Sequence, residues 1–469
     1  MKESMIQKMK QIVGDENVET SSMSLHSYSY DATPGFRKTP DVVISPTSTE
    51  EVRDIVKICN ENKIPITPRG SGTNLSAGTT PLEGGVVLLF KHMNRILEID
   101  EKNLTMTVQP GVVTKNIIDQ AEEKGLLYPP DPGSMDISTI GGNINENAGG
   151  LRGLKYGVTR DYVLGLKIVL PNGDIIETGG KLAKDVAGYD LTRLFVGSEG
   201  TLGIITEAIL KLVPLPEYKK TLLATYEDMD DAARTVSKII ENKIIPTTLE
   251  FMDQPTVEVV EEYNQIGLPT DAKAILLIEQ DGPETIVDRD LEKIARICED
   301  LNAVTVSIAK DEEEANLLRT ARRTALSTIA RLRPTTFLED ATVPRSQVAP
   351  MVKAINEIAL KYDIKICTFG HAGDGNLHPT VPTDIRSKEE FHRVEQAFVE
   401  IFEKAVELGG TITGEHGVGA MKAPHLKLKL GDEGIKAMKG IKHSFDPNNI
   451  MNPRKLFFEE VEEVKESGA

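Results

Sequence analysis

The chain has 469 residues, long enough for two or three domains that each bury a core of their own. Its net charge of −18 argues against nucleic acid or an anionic membrane surface as a partner. That charge is spread along predicted helices and an acidic tail at 459–463, which is typical of a solvated surface.

The three cysteines are scattered at Cys59, Cys298 and Cys367, with no paired spacing. This pattern excludes a disulfide framework and a cysteine-held iron–sulfur cluster. No apolar run approaches the ~18 residues of a membrane span, and the polar N-terminus lacks a signal-peptide core. We therefore expect a cytoplasmic protein without a transmembrane segment.

Helices and strands alternate early in the chain. Residues 51–62 carry apolar side chains on one face and predict a helix with Thr49 as its N-cap. A second helix is predicted at 116–124, where Gly125 ends it. Strands are predicted over three apolar or alternating runs: 64–67, 86–90 and 104–108.

A loop of small residues follows the first of these strands and reads Pro-Arg-Gly-Ser-Gly-Thr-Asn-Leu-Ser-Ala-Gly over 68–78. Consecutive small residues let backbone N–H groups converge on an anion, and Ser71, Thr73 and Asn74 add side-chain hydrogen bonds. The loop lacks Gly-Lys-Ser/Thr, and no Gly-x-Gly-x-x-Gly opens a helix here, so a Walker loop and a Rossmann fold are disfavoured. Taken alone, the loop is equally well explained as a turn.

A second glycine-rich segment extends from 132 to 150. Its last ten residues contain four glycines and three asparagines, which permit close backbone approach and left-handed conformations. Such a segment suits a wall around a flat, polar cofactor better than a core. A third glycine cluster, at 197–203, leads into an apolar strand.

The glycine density falls near 215–220, which we interpret as a domain boundary. Beyond it, helices are predicted at 228–242, 284–300, 312–330, 346–362 and 387–408. Strands are predicted at 221–226, 273–279, 303–308, 336–343 and 364–370. This pattern predicts an α+β domain whose helices cover one face of a sheet.

His371 and His378 lie seven residues apart, and Glu415-His416 follows some 37 residues later. The glycines between the two histidines disfavour a helix, so both imidazoles are expected on a strand that bends. Two imidazoles and one carboxylate suit zinc, manganese or ferrous ion with positions open for substrate. His416 or Glu415 would then be free to move a proton. A single histidine is better explained by a bond to loop backbone, but the whole set favours a metal.

The order of the glycine motifs resembles the FAD-binding domain of the vanillyl-alcohol oxidase type. These motifs are Arg-Gly-Ser-Gly-Thr, Pro-Gly-Ser with Thr-Ile-Gly-Gly, Asn-Ala-Gly-Gly and Gly-Ser-Glu-Gly-Thr-Leu-Gly. The second half resembles the FAD-linked oxidase C-terminal domain. Over about residues 40–457, the chain is thus similar to the flavin-dependent D-2-hydroxyacid dehydrogenases. The resemblance implies an FAD domain at 1–218, a substrate domain with a metal site at 219–419, and a segment at 420–469 that returns to the FAD domain.

The resemblance implies FAD as cofactor and assigns it to the glycine-rich loops and the tail. The residues so assigned are Arg69, Gly70, Ser71, Gly72, Thr73, Asn74, Gly78, Pro132, Gly133, Ser134, Thr139, Gly141, Gly142, Asn145, Ala148, Gly149, Gly150, Glu199, Gly200, Ile205 and Asn452. Covalent flavin attachment on this fold often uses a histidine in the first loop. Here that loop contains Thr73 and no histidine, so we expect non-covalent FAD.

The resemblance also assigns the charged residues of the second half. It implies a divalent metal (Fe, Zn or Mn) bound by His371, His378 and Glu415, with His416 as general base. Arg322 would bind the substrate carboxylate. Two positions depart from the family pattern. Arg319 stands where a Trp is frequent, which leaves Arg319, Arg322 and Arg323 open as candidates for the carboxylate-binding residue. Residues 452–455 read Asn-Pro-Arg-Lys in place of Asn-Pro-Gly-Lys.

This chemistry is coherent for a small 2-hydroxy acid substrate. A metal chelated by the alcohol and carboxylate lowers the hydroxyl pKa, a neutral imidazole takes the proton, and the C2 hydride leaves to the flavin. We expect oxidation of D-lactate to pyruvate, with glycolate or D-2-hydroxyglutarate as alternatives. The electrons would pass to a separate carrier such as electron transfer flavoprotein or another electron-carrier subunit.

Three other readings of the sequence differ in what they leave unexplained. An oxidase would use oxygen in place of a carrier protein. A non-catalytic scaffold subunit would not need the intact histidine and glutamate motifs. A zinc hydrolase would leave the glycine-rich first half without a purpose.

Overall fold

The computed structural model describes residues 1–457, so the acidic residues at 459–463 lie outside it. Helices α1–α15 are Glu3–Val13, Ser22–Ser27, Thr49–Asn62, Thr114–Glu122, Ile140–Glu146, Gly153–Tyr156, Leu191–Phe195, Met229–Glu241, Gln254–Asn264, Glu284–Asp300, Glu312–Arg323, Ala325–Ile329, Val348–Tyr362, Lys388–Glu407 and Leu426–Phe445. None of these helices is long and apolar enough to cross a bilayer.

Strands β1–β19 are Val18–Glu19, Val42–Ile44, Ile66–Arg69, Val86–Leu89, Ile96–Asp100, Thr105–Val108, Leu126–Leu127, Val163–Val169, Ile175–Gly179, Ile204–Lys211, Val213–Pro214, Tyr218–Tyr226, Thr248–Asp253, Ala274–Gly282, Thr305–Ile308, Thr335–Leu338, Ala341–Thr342, Cys367–His371 and Asn376–Thr383. The predicted helices and strands are present, with ends shifted by a few residues at most positions.

Two sheets form the first half of the chain. A four-stranded sheet in the order β1-β2-β4-β3 packs its valines and isoleucines against α1 and α3. A five-stranded antiparallel sheet in the order β5-β6-β10-β8-β9 packs against α4, α5 and α7. The predicted N-cap of α3 was wrong by one residue: the Ser48 hydroxyl accepts the bond from the Glu51 N–H, and Thr49 is the first helical residue.

The second half is built on a sheet in the order β15-β12-β14-β13-β18-β19-β16, with β17 paired to β19. Alternate residues of its strands point to opposite faces. Leu276 and Ile278 pack with α8, α10, α13 and α14, whereas Ile275 packs with α9, α11 and α12. The prediction that helices cover one face of the sheet was therefore wrong, because both faces are apolar and both are covered.

Two predicted elements are interrupted. The helix predicted at 312–330 is divided at Thr324 into α11 and α12. The strand predicted at 336–343 is divided into β16 and β17, and the two residues between them are Glu339 and Asp340. Both acidic side chains are fully buried there. Strand β13 and helix α9 were not predicted from the sequence.

The last described residues of the chain contact its first half. Met451 forms a parallel bridge with Ile66 of β3. The buried Lys442 ammonium donates to the backbone carbonyls of Thr201 and Met451 at 2.8 Å each and pairs with Asp446. The same Asp446 carboxylate accepts the N–H of Met451 at 2.8 Å. This buried ion pair fixes the end of α15 to the two sheets of the first half of the chain.

Replacing Asp446 by Ala is expected to destabilise the protein by about 3–5 kcal/mol, since it leaves the Lys442 charge buried without a counter-ion. Urea denaturation followed by circular dichroism measures the change. Asp432→Ala is the control, because Asp432 is exposed beside Lys427 and its loss should cost less than about 0.5 kcal/mol. Equal stability of the two variants would contradict the assigned role of the tail contact.

Candidate active site

A cavity of about 550 Å³ lies where the two halves of the chain meet. The predicted site residues that line it are Arg69, Gly70, Ser71, Gly72, Thr73, Asn74, Gly78, Pro132, Gly133, Ser134, Thr139, Gly141, Gly142, Asn145, Ala148, Glu199, Gly200, Ile205, Arg322, His371, His378, Glu415, His416 and Asn452. Residues that lie up to about 380 positions apart in sequence thus face one space. The cavity has a glycine-rich end from the first half and a charged end from the second.

Two predicted cofactor residues, Gly149 and Gly150, do not line the cavity. A Cβ on Gly149 would lie 2.4 Å from Oε2 of Glu415, and one on Gly150 would lie 2.5 Å from the backbone oxygen of Asp131. Both glycines therefore serve close packing behind the cavity wall. Gly149 lets the segment approach the charged end of the site.

The first small-residue loop is held in shape by its own side chains. The Asn74 carboxamide oxygen accepts the Gly78 N–H at 2.8 Å. The Arg69 guanidinium donates to the Tyr30 carbonyl at 2.8 Å and lies over Gly72, which has a φ of 73°. These contacts keep the loop backbone against the cavity without filling it.

The second segment lines the cavity, and its residues 140–146 form helix α5. Gly141 is required there by packing, since a Cβ would lie 2.7 Å from Pro110. Gly142 and Gly133 differ: a Cβ on Gly142 would meet only Thr139 Oγ1 at 3.6 Å, and one on Gly133 would meet nothing within 4 Å. These two glycines leave space that side chains would fill, so a cofactor can lie close to the backbone.

His371 and His378 lie on two adjacent antiparallel strands rather than on one bent strand. His371 ends β18, a short turn at 372–374 follows, and His378 lies in β19 opposite Phe369. Gly375 closes the turn with a φ of 80°, and a Cβ there would lie 2.0 Å from the Val343 carbonyl oxygen. The turn places both imidazoles on the same face of the sheet.

Three imidazoles converge on one carboxylate oxygen. The Nε2 atoms of His371, His378 and His416 lie 3.2, 3.4 and 3.8 Å from Oε1 of Glu415. His371 and His378 are buried, and 14% of the Glu415 and His416 side chains is exposed. Nitrogen and oxygen donors at this spacing can close around one divalent cation.

Asp340 holds the loop that carries Glu415 and His416. Its Oδ2 accepts the backbone N–H groups of 414–416 at 2.7–2.8 Å and the Thr413 hydroxyl at 2.8 Å. Its Oδ1 accepts from the Asn376 carboxamide at 2.6 Å. Three successive N–H groups around one carboxylate form an anion-binding nest inside the protein. Asp340 therefore fixes the backbone from which the two functional side chains project.

The three candidate arginines point in different directions. Arg319 pairs with Glu279 and Glu312 and does not line the cavity. Arg323 lines the cavity, and its Nη2 donates to Asp131 at 3.0 Å.

Arg322 also lines the cavity, with its guanidinium 4.7 Å from the centre of the Phe369 ring. Its Nη2 lies 2.7 Å from Oε2 of Glu250, but the N–H bonds do not point at that oxygen. Nε and Nη2 consequently have no hydrogen-bond acceptor among the residues that the structure describes. Of the three arginines, Arg322 has donors best placed for an anion in the cavity.

The charged end of the cavity has shifted pKa values. Burial opposes protonation of His371, but Glu250 and Glu415 outweigh it and raise the His371 pKa well above its ordinary value. Burial opposes ionisation of Glu415, but His371 and His378 lower the Glu415 pKa well below its ordinary value. Burial lowers the pKa of His416 to about 4, so its imidazole is neutral near pH 7.

Glu199 connects the two ends of the cavity. Its carboxylate accepts the N–H groups of Val418 and Gly419 at 2.7 and 2.6 Å. Burial raises its pKa to about 7, although these two hydrogen bonds act in the opposite direction. Its backbone carbonyl accepts from the Asn452 carboxamide at 2.7 Å. Glu199 was predicted as a cofactor contact; the structure shows that it binds the backbone of residues 418–419.

Sequence reasoning missed two buried carboxylates at the site, Asp340 and Glu250. Asp340 lies inside the strand predicted at 336–343, where the structure has a break between β16 and β17. Glu250 lies in the run Thr-Leu-Glu-Phe-Met-Asp of β13, where an acid among apolar residues is the available signal. A buried acid needs a partner, and here the partners are more than 70 residues away in sequence.

Comparisons with known proteins agree with this geometry. Residues 40–179 match the FAD binding domain family, and residues 215–456 match the FAD linked oxidases, C-terminal domain. The chain is 70% identical to the glycolate oxidase subunit GlcD of Bacillus subtilis (strain 168), over 95% of each chain. The chain belongs to the FAD-linked oxidase family.

Two further similarities add detail. The D-lactate dehydrogenase of Anaerostipes hadrus is 37% identical over 97% of both chains. The solved structure of p-cresol methylhydroxylase superposes with a TM-score of 0.81 at 20% identity, covering 97% of this chain and 96% of the other. These findings confirm the predicted family and the α+β fold of the vanillyl-alcohol oxidase type. The protein is an FAD-linked oxidoreductase whose first half is an FAD-binding domain.

Gly142→Val is expected to yield protein with little or no FAD, because the branched side chain would enter the space beside the α5 backbone. The ratio of flavin to protein absorbance in the purified variant measures this. Gly440→Val is the matched control, since Gly440 is exposed on α15 and a Cβ there meets nothing within 4 Å. Full flavin content in Gly142→Val would mean that the cofactor does not approach this glycine.

Proposed function

We propose that this protein oxidises a small 2-hydroxy acid, with FAD as the hydride acceptor and a divalent metal that polarises the hydroxyl group. The observation that carries the proposal is the meeting of His371, His378, Glu415 and His416 with Arg322 in one cavity. FAD, when bound, supplies the two-electron acceptor next to this charged end. At the glycine-lined end, Gly133 and Gly142 leave space beside the backbone where FAD would lie.

The proposed metal ligands are His371, His378 and Glu415, whose donor atoms lie within 4.8 Å of one another. Mixed imidazole and carboxylate donors suit Fe, Zn or Mn. Three protein ligands leave positions open for a hydroxyl and a carboxylate oxygen of the substrate. The metal would lower the pKa of the substrate hydroxyl.

His416 is proposed as the general base. Its Nε2 is the farthest of the three imidazole nitrogens from Glu415 Oε1, at 3.8 Å. The low pKa keeps the ring neutral and able to accept a proton. Arg322 is proposed to bind the substrate carboxylate through its unpaired N–H groups and so to fix which face of C2 meets the flavin.

FAD is proposed to be held without a covalent bond. Among the described residues that line the cavity, histidine occurs only at the charged end, and neither Cys nor Tyr occurs. The first loop has Thr73 in place of a histidine. No imidazole, thiol or phenol is therefore available among the described residues that line the glycine-rich end.

Glycolate is the substrate that the comparisons favour, because the relative at 70% identity is named a glycolate oxidase subunit. D-Lactate, the first expectation from the sequence, is the second candidate and is favoured by the relative at 37% identity. A second carboxylate, as in D-2-hydroxyglutarate, would need another free cation. Arg331 stacks on Tyr263 and Arg333 pairs with Glu390, and neither lines the cavity.

The electrons are proposed to leave through a separate carrier, such as electron transfer flavoprotein or another electron-carrier subunit. The chain has three cysteines, all buried and unpaired, so it offers no iron–sulfur relay of its own. The Bacillus subtilis relative is itself named as a subunit. An oxidase that uses oxygen is the alternative.

The metal content of single-residue variants should distinguish the proposed metal ligands from the proposed general base. His371→Ala and His378→Ala are each expected to lose the metal and the activity. His416→Ala should keep metal and FAD but reduce its flavin with glycolate about 10²–10⁴-fold more slowly, which is the usual cost of losing a general base. Elemental analysis and anaerobic stopped-flow absorbance provide the two readouts.

His443→Ala is the control, because His443 is an exposed histidine on α15, remote from the cavity lining. It should retain metal, FAD and rate. Loss of metal in His416→Ala with retention in Glu415→Ala would reverse the two roles. Unchanged metal in both His371→Ala and His378→Ala would rule out the proposed site.

Substrate choice is tested by the kcat/KM of the wild-type protein with a dye acceptor. We expect the order glycolate, D-lactate, D-2-hydroxyglutarate, because Arg322 has two donor atoms without an acceptor, whereas Nη2 of Arg323, which also lines the cavity, is already bonded to Asp131. Added electron transfer flavoprotein should raise the rate above that in aerated buffer. A preference for the dicarboxylate would contradict the substrate assignment, and full-rate peroxide formation without a carrier would favour the oxidase.

A further inference from the structure

Glu250 occupies a position behind the active-site wall. It lies on β13, only 1% of it is exposed, and it does not line the cavity. Its Oε1 accepts the Nδ1–H of His371 at 2.7 Å. Its Oε2 lies 2.7 Å from Nη2 of Arg322. One buried carboxylate therefore touches a proposed metal ligand on one side and the proposed substrate-binding arginine on the other.

The sheet sets this arrangement. Strands β13 and β18 are antiparallel neighbours, with Phe251 opposite Gly370 and Met252 opposite Phe369. The same register continues to Glu250 and His371, which brings their side chains together on one face. Arg322 approaches from α11, which packs over that face of the sheet. The contact is thus built into the core and does not depend on a mobile loop.

Each half of the contact has a chemical consequence. A carboxylate that accepts Nδ1–H orients the imidazole, so His371 Nε2 is the nitrogen that faces Glu415 and the cavity and that would offer its lone pair to a metal once deprotonated. It also raises the basicity of the imidazole toward a metal. On the other side, the negative charge compensates the buried guanidinium while leaving its N–H groups directed elsewhere.

We propose that Glu250 is a positioning residue that couples metal binding at His371 to binding of the substrate carboxylate at Arg322. This inference rests on the proposed function of the same site. Because one carboxylate supports both groups, its loss should weaken both the metal and the substrate interaction. A residue with a purely structural role would affect neither once the protein is folded.

The chain contains a matched control for this residue. Glu279 of β14 is also buried and pairs with Arg319, one helical turn before Arg322 on α11. Its contacts include no histidine, and neither Glu279 nor Arg319 lines the cavity. Glu279→Gln therefore breaks a comparable buried glutamate–arginine pair on the same helix without touching the site.

The experiment compares Glu250→Gln with Glu279→Gln in the FAD-loaded full-length protein. Competition with a metal chelator, read by elemental analysis, should show metal binding about 10–100-fold weaker in Glu250→Gln and unchanged in Glu279→Gln. At saturating metal, the KM for glycolate should rise about tenfold or more in Glu250→Gln alone. Glu250→Asp, which keeps the charge on a shorter side chain, should lie between wild type and Glu250→Gln in both readouts.

The outcomes are distinguishable. Equal metal affinity and KM in Glu250→Gln and Glu279→Gln would overturn the inference and leave the proposed function intact. Weaker metal binding with an unchanged KM for glycolate in Glu250→Gln would overturn the proposed coupling. Wild-type protein that binds no metal would overturn the proposed metal site and this inference together. If Glu250→Gln fails to fold, wild-type values in Glu250→Asp in both readouts would count against the proposal.

Discussion

A single buried carboxylate determines where the reactive loop lies. Asp340 is fully buried and accepts five hydrogen bonds, four of them from residues 413–416. The loop has glycines on both sides of Glu415-His416 and forms no regular helix or strand, so local backbone preference does not specify its path. Burial opposes ionisation of Asp340, but His416, Lys422 and His378 outweigh it and hold the Asp340 pKa well below its ordinary value, so the side chain is an anion. Glu415 and His416 point into the cavity because their own backbone amides are bound to Asp340.

A second set of contacts joins the halves of the cavity. Glu199 adopts a left-handed backbone conformation with a φ of 52°, which costs a non-glycine residue roughly 1 kcal/mol. This conformation lets the Glu199 carboxylate accept the backbone N–H groups of residues 418–419. The Glu199 backbone carbonyl accepts from the Asn452 carboxamide, which also donates to the Gly78 carbonyl at 2.9 Å. The first glycine-rich loop, the loop at 413–419 and the tail are therefore connected through the side chains of Glu199 and Asn452. The distance between the cofactor end and the charged end is fixed by these bonds.

The parts of the fold that depend on local pattern could be predicted from the sequence. The helix predicted at 284–300 has those bounds in the structure, because its apolar face and its ends are encoded nearby. The histidines and the Glu-His pair could be selected as a group because their residue types and glycine neighbours are unusual. The family resemblance then supplied roles that spacing alone did not.

What could not be predicted depends on contacts between distant strands. Glu250 meets His371 across 121 residues, and Asp340 meets Glu415 across 75. No local periodicity encodes such a register, and a lone acid in an apolar run gives no indication of its partner. The error over the sheet faces has a different origin: β14 begins with a continuous apolar run, which is the local signal of a strand covered on both faces, and the prediction did not use it.

The environments of the three histidines explain how similar side chains can take different roles. His371 has its Nδ1 bonded to Glu250, which commits its Nε2 to the cavity. His378 and His416 stack 4.9 Å apart, and their Nδ1 atoms lie 3.7 and 3.9 Å from Asp340 without a hydrogen bond. Of these two, His378 is the more buried and lies nearer to Glu415, which suits a metal ligand. His416 is farther away and neutral, and its ring is partly exposed to the cavity, which suits a base that must exchange a proton with substrate. The proposed difference between ligand and base thus follows from the surroundings of each ring, and not from the residue type.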